Sequence, residues 1–136
     1  MPIELKYLVW SVALFFVMIL AQSVAAIFFS KATTAELVGA RDDLPAGGLT
    51  PFHGRTKRAQ HNMIEGMCMF VPLVLVAAIT DSFSSTTALG AALFFWGRVV
   101  FAPTYWFGVP WVRTLAWFVS IAGILMILWE LCSNGY

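Results

Sequence analysis

Charged side chains are scarce in this sequence. Only 11% of its 136 residues are Asp, Glu, Lys or Arg, whereas a soluble domain has about 25%. Hydrophobic residues make up 60% of the chain. The net charge is only +1, and no run of basic residues suggests a nucleic-acid partner. This composition predicts an all-α integral membrane protein. At about 20 residues per span, four helices occupy the whole chain as a single domain.

Cysteine is also rare, and the common ligand spacings are missing. Neither Cys68 nor Cys132 lies in a CxxC or Cys/His pattern, so we interpret both as unpaired apolar residues. The chain also lacks a glycine-rich phosphate loop and a Ser-His-Asp grouping. His53 and His61 lie close to the predicted start of a helix, where we expect them to face lipid headgroups. The sequence therefore predicts no metal site.

Four apolar segments have the length of a membrane-spanning helix. They cover residues 8–29, 60–80, 86–107 and 113–131. Residues 30–52 are polar and contain several helix breakers, so they predict a loop outside the bilayer, into which the first helix extends as far as about Ala40. A signal peptide is the alternative for residues 8–29. That apolar run is too long for one, and the flank before it is nearly neutral, which favours a retained span.

The basic residues predict the orientation of these helices. Seven of the eight Lys and Arg residues belong to the side shared by the first and third connections, and only Lys6 lies with the termini. Positively charged residues favour the cytosolic side of a membrane. We therefore expect both termini outside and the loop of residues 30–52 in the cytosol. The compact loops suggest a bacterial inner membrane.

The second apolar segment begins with a polar stripe. Residues three, four and seven apart share one face of a helix, so Arg58, Asn62 and Glu65 lie along a line of about 10 Å. A cation, an amide and an anion are thus placed beside hydrocarbon, where a charge is costly unless something pairs with it. The stripe is either a structural ion-pair network that locks the helices or a binding site.

The third and fourth segments supply side chains at a similar depth. The third runs antiparallel to the second, which brings Arg98 near Glu65 and makes it a candidate counterion for that carboxylate. Tyr105 shares the face of Arg98, and Arg113 and Thr114 begin the fourth segment at the cytosolic end. Taken alone, Tyr105 suits an interfacial anchor and Arg113 a positive-inside residue. Together these residues predict a polar pocket that opens to the cytosol.

The charges of this pocket suit a small thiol compound that carries charges of both signs. Arginine side chains bind carboxylates through paired hydrogen bonds, and Glu65 suits an ammonium group. Glutathione has two carboxylates, one amine and one thiol, so it fits the pattern. Arg113 is placed to favour the thiolate, because nearby cations lower the pKa of a thiol. The second reactant is then a hydrophobic small molecule or a lipid that arrives from the bilayer.

Two stretches resemble the MAPEG family, the membrane-associated proteins of eicosanoid and glutathione metabolism. The first is the string Arg-Ala-Gln-x-Asn-x-x-Glu at residues 58–65, and the second comprises residues 97–105 and 113–117. The resemblance, to a bacterial-type microsomal glutathione transferase, implies a four-helix subunit in a homotrimer with glutathione as co-substrate. By matched position, it implies glutathione contacts from Arg58, Asn62 and Glu65 of one subunit and from Arg98 and Tyr105 of another.

The resemblance further implies a catalytic role at the thiol for Arg113 and Thr114, together with the Tyr105 hydroxyl. The family contains glutathione transferases, glutathione-dependent peroxidases, eicosanoid synthases and a lipid-binding member without enzyme activity. Phe101 stands where some members have a Tyr, and only Lys31 matches the basic residue that many carry near the end of helix one. These departures leave open which residue donates a hydrogen bond to the thiolate.

Three functions are compatible with these patterns. The leading hypothesis is a glutathione-dependent membrane enzyme that conjugates or reduces hydrophobic electrophiles or lipid peroxides. The alternative is a non-catalytic scaffold of the same fold that binds a lipid or a protein partner, which the missing hydroxyl at Phe101 favours. The third is a small four-helix transporter. Such transporters usually place an essential acid in the first span, and residues 8–29 contain none.

Overall fold

A computed structural model describes residues 1–134, which contain five helices and no strand. In chain order these are α1 (Ile3–Phe28), α2 (Thr34–Val38), α3 (Pro51–Ile79), α4 (Ser85–Trp106) and α5 (Pro110–Asn134). All but α2 are long and apolar enough to cross a membrane. The predicted all-α architecture with four such helices is therefore confirmed, while the limits of the membrane-embedded parts stay predictions.

Side chains at the helix starts explain where α3 and α4 begin. The Thr50 hydroxyl accepts a hydrogen bond from a backbone N–H in the first turn of α3, and Pro51 occupies a position where no N–H is needed. Ser84 and Thr87 cap α4 reciprocally, each accepting a hydrogen bond from the other's backbone N–H. These caps satisfy N–H groups that have no partner inside the helix.

Helices α4 and α5 pack more closely than any other pair in the described chain. Glycine makes this possible: a Cβ on Gly90 would lie 2.7 Å from the carbonyl oxygen of Gly123. Further along the same seam, a Cβ on Gly97 would lie 2.9 Å from the carbonyl oxygen of Ala116. Small residues let two helix backbones approach in this way. The close packing fixes the start of α5 beside the end of α4.

The core is apolar, and so is the outer surface. The side chains of Met18, Met63, Phe70 and Phe94 are fully buried between the long helices, and the rings of Phe70 and Phe94 stack with their centres 4.0 Å apart. Many large hydrophobic side chains on all four long helices face outward instead. An apolar exterior of this extent suits contact with lipid rather than water.

The first helix differs from its prediction at both ends. It begins at Ile3 and therefore contains an acid, Glu4, which is buried and accepts a hydrogen bond of 2.7 Å from the Thr87 hydroxyl. Residues 8–29 contain no acid, as the sequence shows, but the helix that includes them begins earlier and does contain one. At its other end α1 stops at Phe28 and does not extend to Ala40. A separate short helix, α2, follows with its own capping box.

Candidate functional site

Two adjoining cavities lie where the start of α3, the end of α4 and the start of α5 meet. The larger has a volume of about 610 Å³ and the smaller about 240 Å³. Asn62 of α3 and Tyr105 of α4 line both of them. The polar stripe of α3 and the polar start of α5 therefore line two cavities that adjoin at Asn62 and Tyr105.

The larger cavity carries charges of both signs. Arg58, Lys57 and Glu65 line it, together with His61. The Glu65 carboxylate is 62% exposed and lies 3.7 Å from Nε2 of His61. Gly54, one turn before Arg58, leaves space for its guanidinium, since a Cβ there would lie 3.1 Å from Nη1. Separated positive and negative groups in one cavity suit a ligand with carboxylates and an ammonium group.

The smaller cavity is partly aromatic and contains one cation. Phe101 and Trp117 line it with Tyr105, and Arg113 supplies the charge. The guanidinium carbon of Arg113 lies 4.6 Å from the centre of the Tyr105 ring, a distance at which a cation is attracted to the ring face. An anionic sulfur and an apolar reactant are both compatible with these walls.

Thr114 lines the smaller cavity, but its hydroxyl proton is already used. Its Oγ1 donates a hydrogen bond of 2.9 Å to the carbonyl oxygen of Pro110 in its own helix. A hydroxyl has a single proton, so Thr114 offers only its acceptor lone pairs to a ligand. Phe101 has no hydroxyl. Of the hydroxyl-bearing side chains that line this cavity, Tyr105 is therefore the one placed to donate a hydrogen bond.

Arg98 lines neither cavity, but it contacts Asn62, which lines both. Its side chain is only 1% exposed, and Nη1 donates a hydrogen bond to Oδ1 of Asn62. Its guanidinium carbon lies 5.5 Å from the ring centre of Phe94 and 5.2 Å from that of Phe101. A Cβ on Gly66 would lie 2.7 Å from Nη2. Since Arg98 engages the amide oxygen, the NH₂ group of Asn62 stays available to a ligand.

Arg98 forms no direct ion pair with Glu65, whose carboxylate lies nearest to His61 among the ion-pair contacts recorded within residues 1–134. Arg98 is instead turned inward, where aromatic faces and one amide surround it. Arg98, Tyr105 and Asn62 meet within a single chain, and glutathione contacts from a second subunit stay a prediction.

His53 has a role that the sequence did not indicate. Its side chain is only 5% exposed, so the expectation that it faces headgroups is wrong. The Leu49 backbone N–H donates to Nδ1 over 2.9 Å, and the side-chain amide of Gln22 lies 2.9 Å from Nε2. Because Nδ1 accepts, the proton of this neutral imidazole is on Nε2, and turning over the Gln22 amide, which exchanges its oxygen and its nitrogen, places the oxygen as the acceptor. His53 thereby joins α1, α3 and the connection between them.

Two further basic side chains hold the site together. Nε of Arg55 donates a hydrogen bond of 2.8 Å to the carbonyl oxygen of Trp106 at the end of α4. Nζ of Lys57 donates one of 2.7 Å to the carbonyl oxygen of Ala46. Both acceptors are backbone groups, which every residue type carries, so no residue pattern pointed to them. The contacts fix the start of α3 against α4 and the first connection.

A comparison with known families agrees with this geometry. A model of the MAPEG family matches residues 7–132, nearly the whole chain. No curated protein and no solved structure matches the chain. The matched range includes the stripe on α3, the end of α4 and the start of α5, and MAPEG members include glutathione-dependent transferases and peroxidases as well as other proteins. The chain belongs to the MAPEG family.

Proposed function

We propose that this protein is a glutathione-dependent membrane enzyme that conjugates or reduces hydrophobic electrophiles or lipid peroxides. The observation that carries the proposal is the pairing of the two cavities. One presents charges of both signs, the other presents a single cation beside aromatic walls, and Asn62 and Tyr105 line both. A molecule with a charged backbone and a central thiol matches that division.

The larger cavity holds the charged part of glutathione in this proposal. Arg58 and Lys57 are the partners for its carboxylates, and Glu65 is the partner for its ammonium group. The NH₂ group of Asn62, held in place by Arg98, donates to a ligand oxygen. Arg98 is then a positioning residue, because it is buried behind Asn62 and lines neither cavity.

The smaller cavity activates the thiol. Arg113 stabilises the deprotonated sulfur by its charge, and the Tyr105 hydroxyl donates a hydrogen bond to it. Thr114 borders the sulfur without donating, since its proton is bound to the Pro110 carbonyl. Bound glutathione supplies a thiolate nucleophile. It attacks an aryl carbon and expels the halide, or it attacks a peroxide oxygen, which breaks the O–O bond and releases an alcohol; a second glutathione then converts the resulting sulfenic acid into glutathione disulfide and water.

The hydrophobic reactant enters from the bilayer. Phe101 and Trp117 give the smaller cavity its apolar walls. Next to Thr114 along α5, the exposed side chains of Leu115 and Phe118 continue that apolar surface outward. A lipid-soluble reactant thus has an uninterrupted apolar route to the sulfur, while glutathione enters from the cytosol.

A homotrimer would complete the site. Arg58, His61 and Glu65 lie on an outward face of α3 that the chain itself leaves uncovered. Charged groups on a membrane helix are costly when they face lipid, so we infer that another copy of the chain covers this face. Light scattering of the purified protein in detergent tests the stoichiometry, with three chains expected and a monomer contradicting it.

The orientation is proposed from the charge distribution, with the site on the cytosolic side of a bacterial inner membrane and both termini outside. A membrane-impermeant thiol reagent tests it in intact cells on a Cys68→Ala, Cys132→Ala background. A cysteine at Gly47 is then expected to be protected and one at Asp81 to be labelled. The reverse labelling would contradict the orientation.

Activity is tested with the purified, assembled protein. We expect glutathione-dependent conjugation of an aryl halide, reduction of an organic hydroperoxide, or both, and a strong loss of turnover in Arg113→Ala. Glutathione or lipid binding without any turnover would favour the non-catalytic scaffold of the same fold. Absence of glutathione binding by assembled protein would overturn the proposal.

A further inference from the structure

Two further cavities lie along the first connection. A cavity of about 500 Å³ is formed by α1 and α2, and one of about 190 Å³ lies between them and the start of α3. Gln22, Ala26, Leu37 and Arg41 line both, so the two adjoin. The glutathione site proposed above uses none of Ala26, Leu37 or Arg41, although Gln22, Ala46 and Lys57 line its larger cavity too.

The walls of these cavities are apolar, and their charged groups have one sign. Apolar side chains from α1, α2 and the connection form most of the lining, and Arg41 and Lys57 are its charged members. Neither cavity is lined by an Asp or a Glu of the described chain. His53 adds no charge, because its Nδ1 accepts the hydrogen bond from Leu49. Arg41 is exposed at the edge of these cavities, and a positive group beside apolar walls suits an anionic ligand with an apolar body.

Arg41 is held towards this space by its backbone and its side chain. Its φ of 64° is in the left-handed region, which disfavours residues other than glycine, asparagine and aspartate. Its Nε donates to the carbonyl oxygen of Leu37 at the end of α2. The two Nη groups make no hydrogen bond to any of residues 1–134 that the structure records, so they remain available for an external anion.

We propose that these cavities form a second site, which binds a negatively charged amphiphile. Its carboxylate or phosphate accepts hydrogen bonds from the Nη groups of Arg41, and its hydrocarbon chain follows Ala26 and Leu37 outward. Ile27 and Val38 border the outer part of the larger cavity and are exposed, which continues the apolar path towards the bilayer. The head group needs no ammonium, since no carboxylate lines the site, and this sets the ligand apart from glutathione.

Two kinds of molecule are negatively charged amphiphiles of this type, a free fatty acid and an anionic phospholipid. The full chain in a maltoside detergent is titrated with a dansyl-labelled undecanoic acid, at saturating glutathione so that the first site is occupied. The matching dansyl amide without a carboxylate is the uncharged control. Competition with palmitate and with phosphatidylglycerol, against phosphatidylcholine, then identifies the source.

Single variants test the residues. Arg41→Gln is expected to weaken binding of the labelled acid about tenfold, the usual value of one charged hydrogen-bonded partner. Lys31→Gln is the matched control, because Lys31 belongs to the same connection but lines neither cavity. Val38→Glu places a negative charge at an exposed position on the rim, where no packing is lost. This charge repels the anionic head group and is expected to weaken binding, whereas Val38→Gln is expected to leave binding unchanged. Val38→Glu keeps the test valid if Arg41→Gln fails to fold.

Several outcomes would overturn the proposal. Equal affinities for the acid and the amide would show that the negative charge of the ligand does not contribute to binding. Equal losses of affinity in Arg41→Gln and Lys31→Gln would show that binding depends on the general surface charge and not on Arg41. The result is independent of the proposed enzyme activity, since lipid binding and glutathione binding are measured separately. If the protein binds the labelled acid but shows no glutathione turnover, the second site is supported and the proposed enzyme activity is not.

Discussion

The guanidinium of Arg113 stacks on the ring of Tyr105, with 4.6 Å between its carbon and the ring centre. The Tyr105 ring in turn lies 5.3 Å from that of Phe101, and Phe101 lies 5.2 Å from the guanidinium carbon of Arg98. Two aromatic rings thus lie between a cation in the core and a cation in the site. The contact with Tyr105 holds Arg113 at the site, and its N–H groups make no recorded hydrogen bond to residues 1–134, which leaves them for an anion.

Replacing Arg113 is expected to raise the pKa of the bound glutathione thiol. An opposite charge at close range lowers a pKa by about 1–3 units, and that stabilisation of the thiolate is lost in Arg113→Ala. The pH profile of kcat/KM for an aryl halide is therefore expected to move to higher pH by about one unit or more. Lys31→Gln, which removes a charge away from the site, is the control, and an unmoved profile in Arg113→Ala would rule out this role.

The two hydroxyls beside the sulfur are expected to differ. Tyr105→Phe removes the free donor and is expected to lower turnover about tenfold or more, the cost of one hydrogen bond to a charged group. Thr114→Val removes a hydroxyl whose proton is bound to a carbonyl of its own helix, and a change below about threefold is expected. Steady-state kinetics at saturating glutathione distinguish the two. A larger effect of Thr114→Val would reverse the assignment.

Asn62 and Arg98 are expected to be energetically coupled. Asn62→Leu leaves a buried guanidinium without its hydrogen-bonded partner, which costs about 3 kcal/mol or more. Arg98→Met removes that charge, so the double variant is expected to recover much of the loss. Thermal or denaturant unfolding in the same detergent measures the stability of the wild type, the two single variants and the double variant, which form a double-mutant cycle. Additive losses would show that the hydrogen bond between the two residues is energetically unimportant.

Gly66→Ala is expected to displace Arg98. The new Cβ would lie 2.7 Å from Nη2 and 3.2 Å from the Phe94 ring, so the guanidinium has to move. We expect lower thermal stability and weaker glutathione binding, because Asn62 loses its support. Gly47→Ala is the matched control for stability, since its Cβ would meet nothing within 4 Å. Equal unfolding temperatures for the two variants would contradict this packing.

The polar stripes and the four long helices were accessible to sequence reasoning because they depend on local periodicity. Residues three, four and seven apart share a helix face whatever the fold, so Arg58, Asn62 and Glu65 were placed on one side of α3 correctly. Apolar length likewise identified the helices that are able to cross a membrane. The depth match between antiparallel α3 and α4 followed from the short turn between them.

The pairing of individual side chains could not be read in the same way. Which group faces Arg98 depends on the rotation of α4 against α3, and a glycine at position 66 decides it by leaving room beside Asn62. The contact between Glu4 and Thr87 joins positions 83 residues apart, with no local signal. His53 was misjudged for the same reason, since its partners lie in α1 and in the loop.

The most direct test of the account is whether Glu65 recognises the amine of glutathione. Isothermal calorimetry of the assembled protein compares glutathione with its analogue that lacks the amino group, in the wild type and in Glu65→Gln. We expect the wild type to bind glutathione about tenfold more tightly than the analogue, as for one charged hydrogen-bonded pair, and Glu65→Gln to bind both equally. Equal affinities of the wild type for the two ligands would contradict the account.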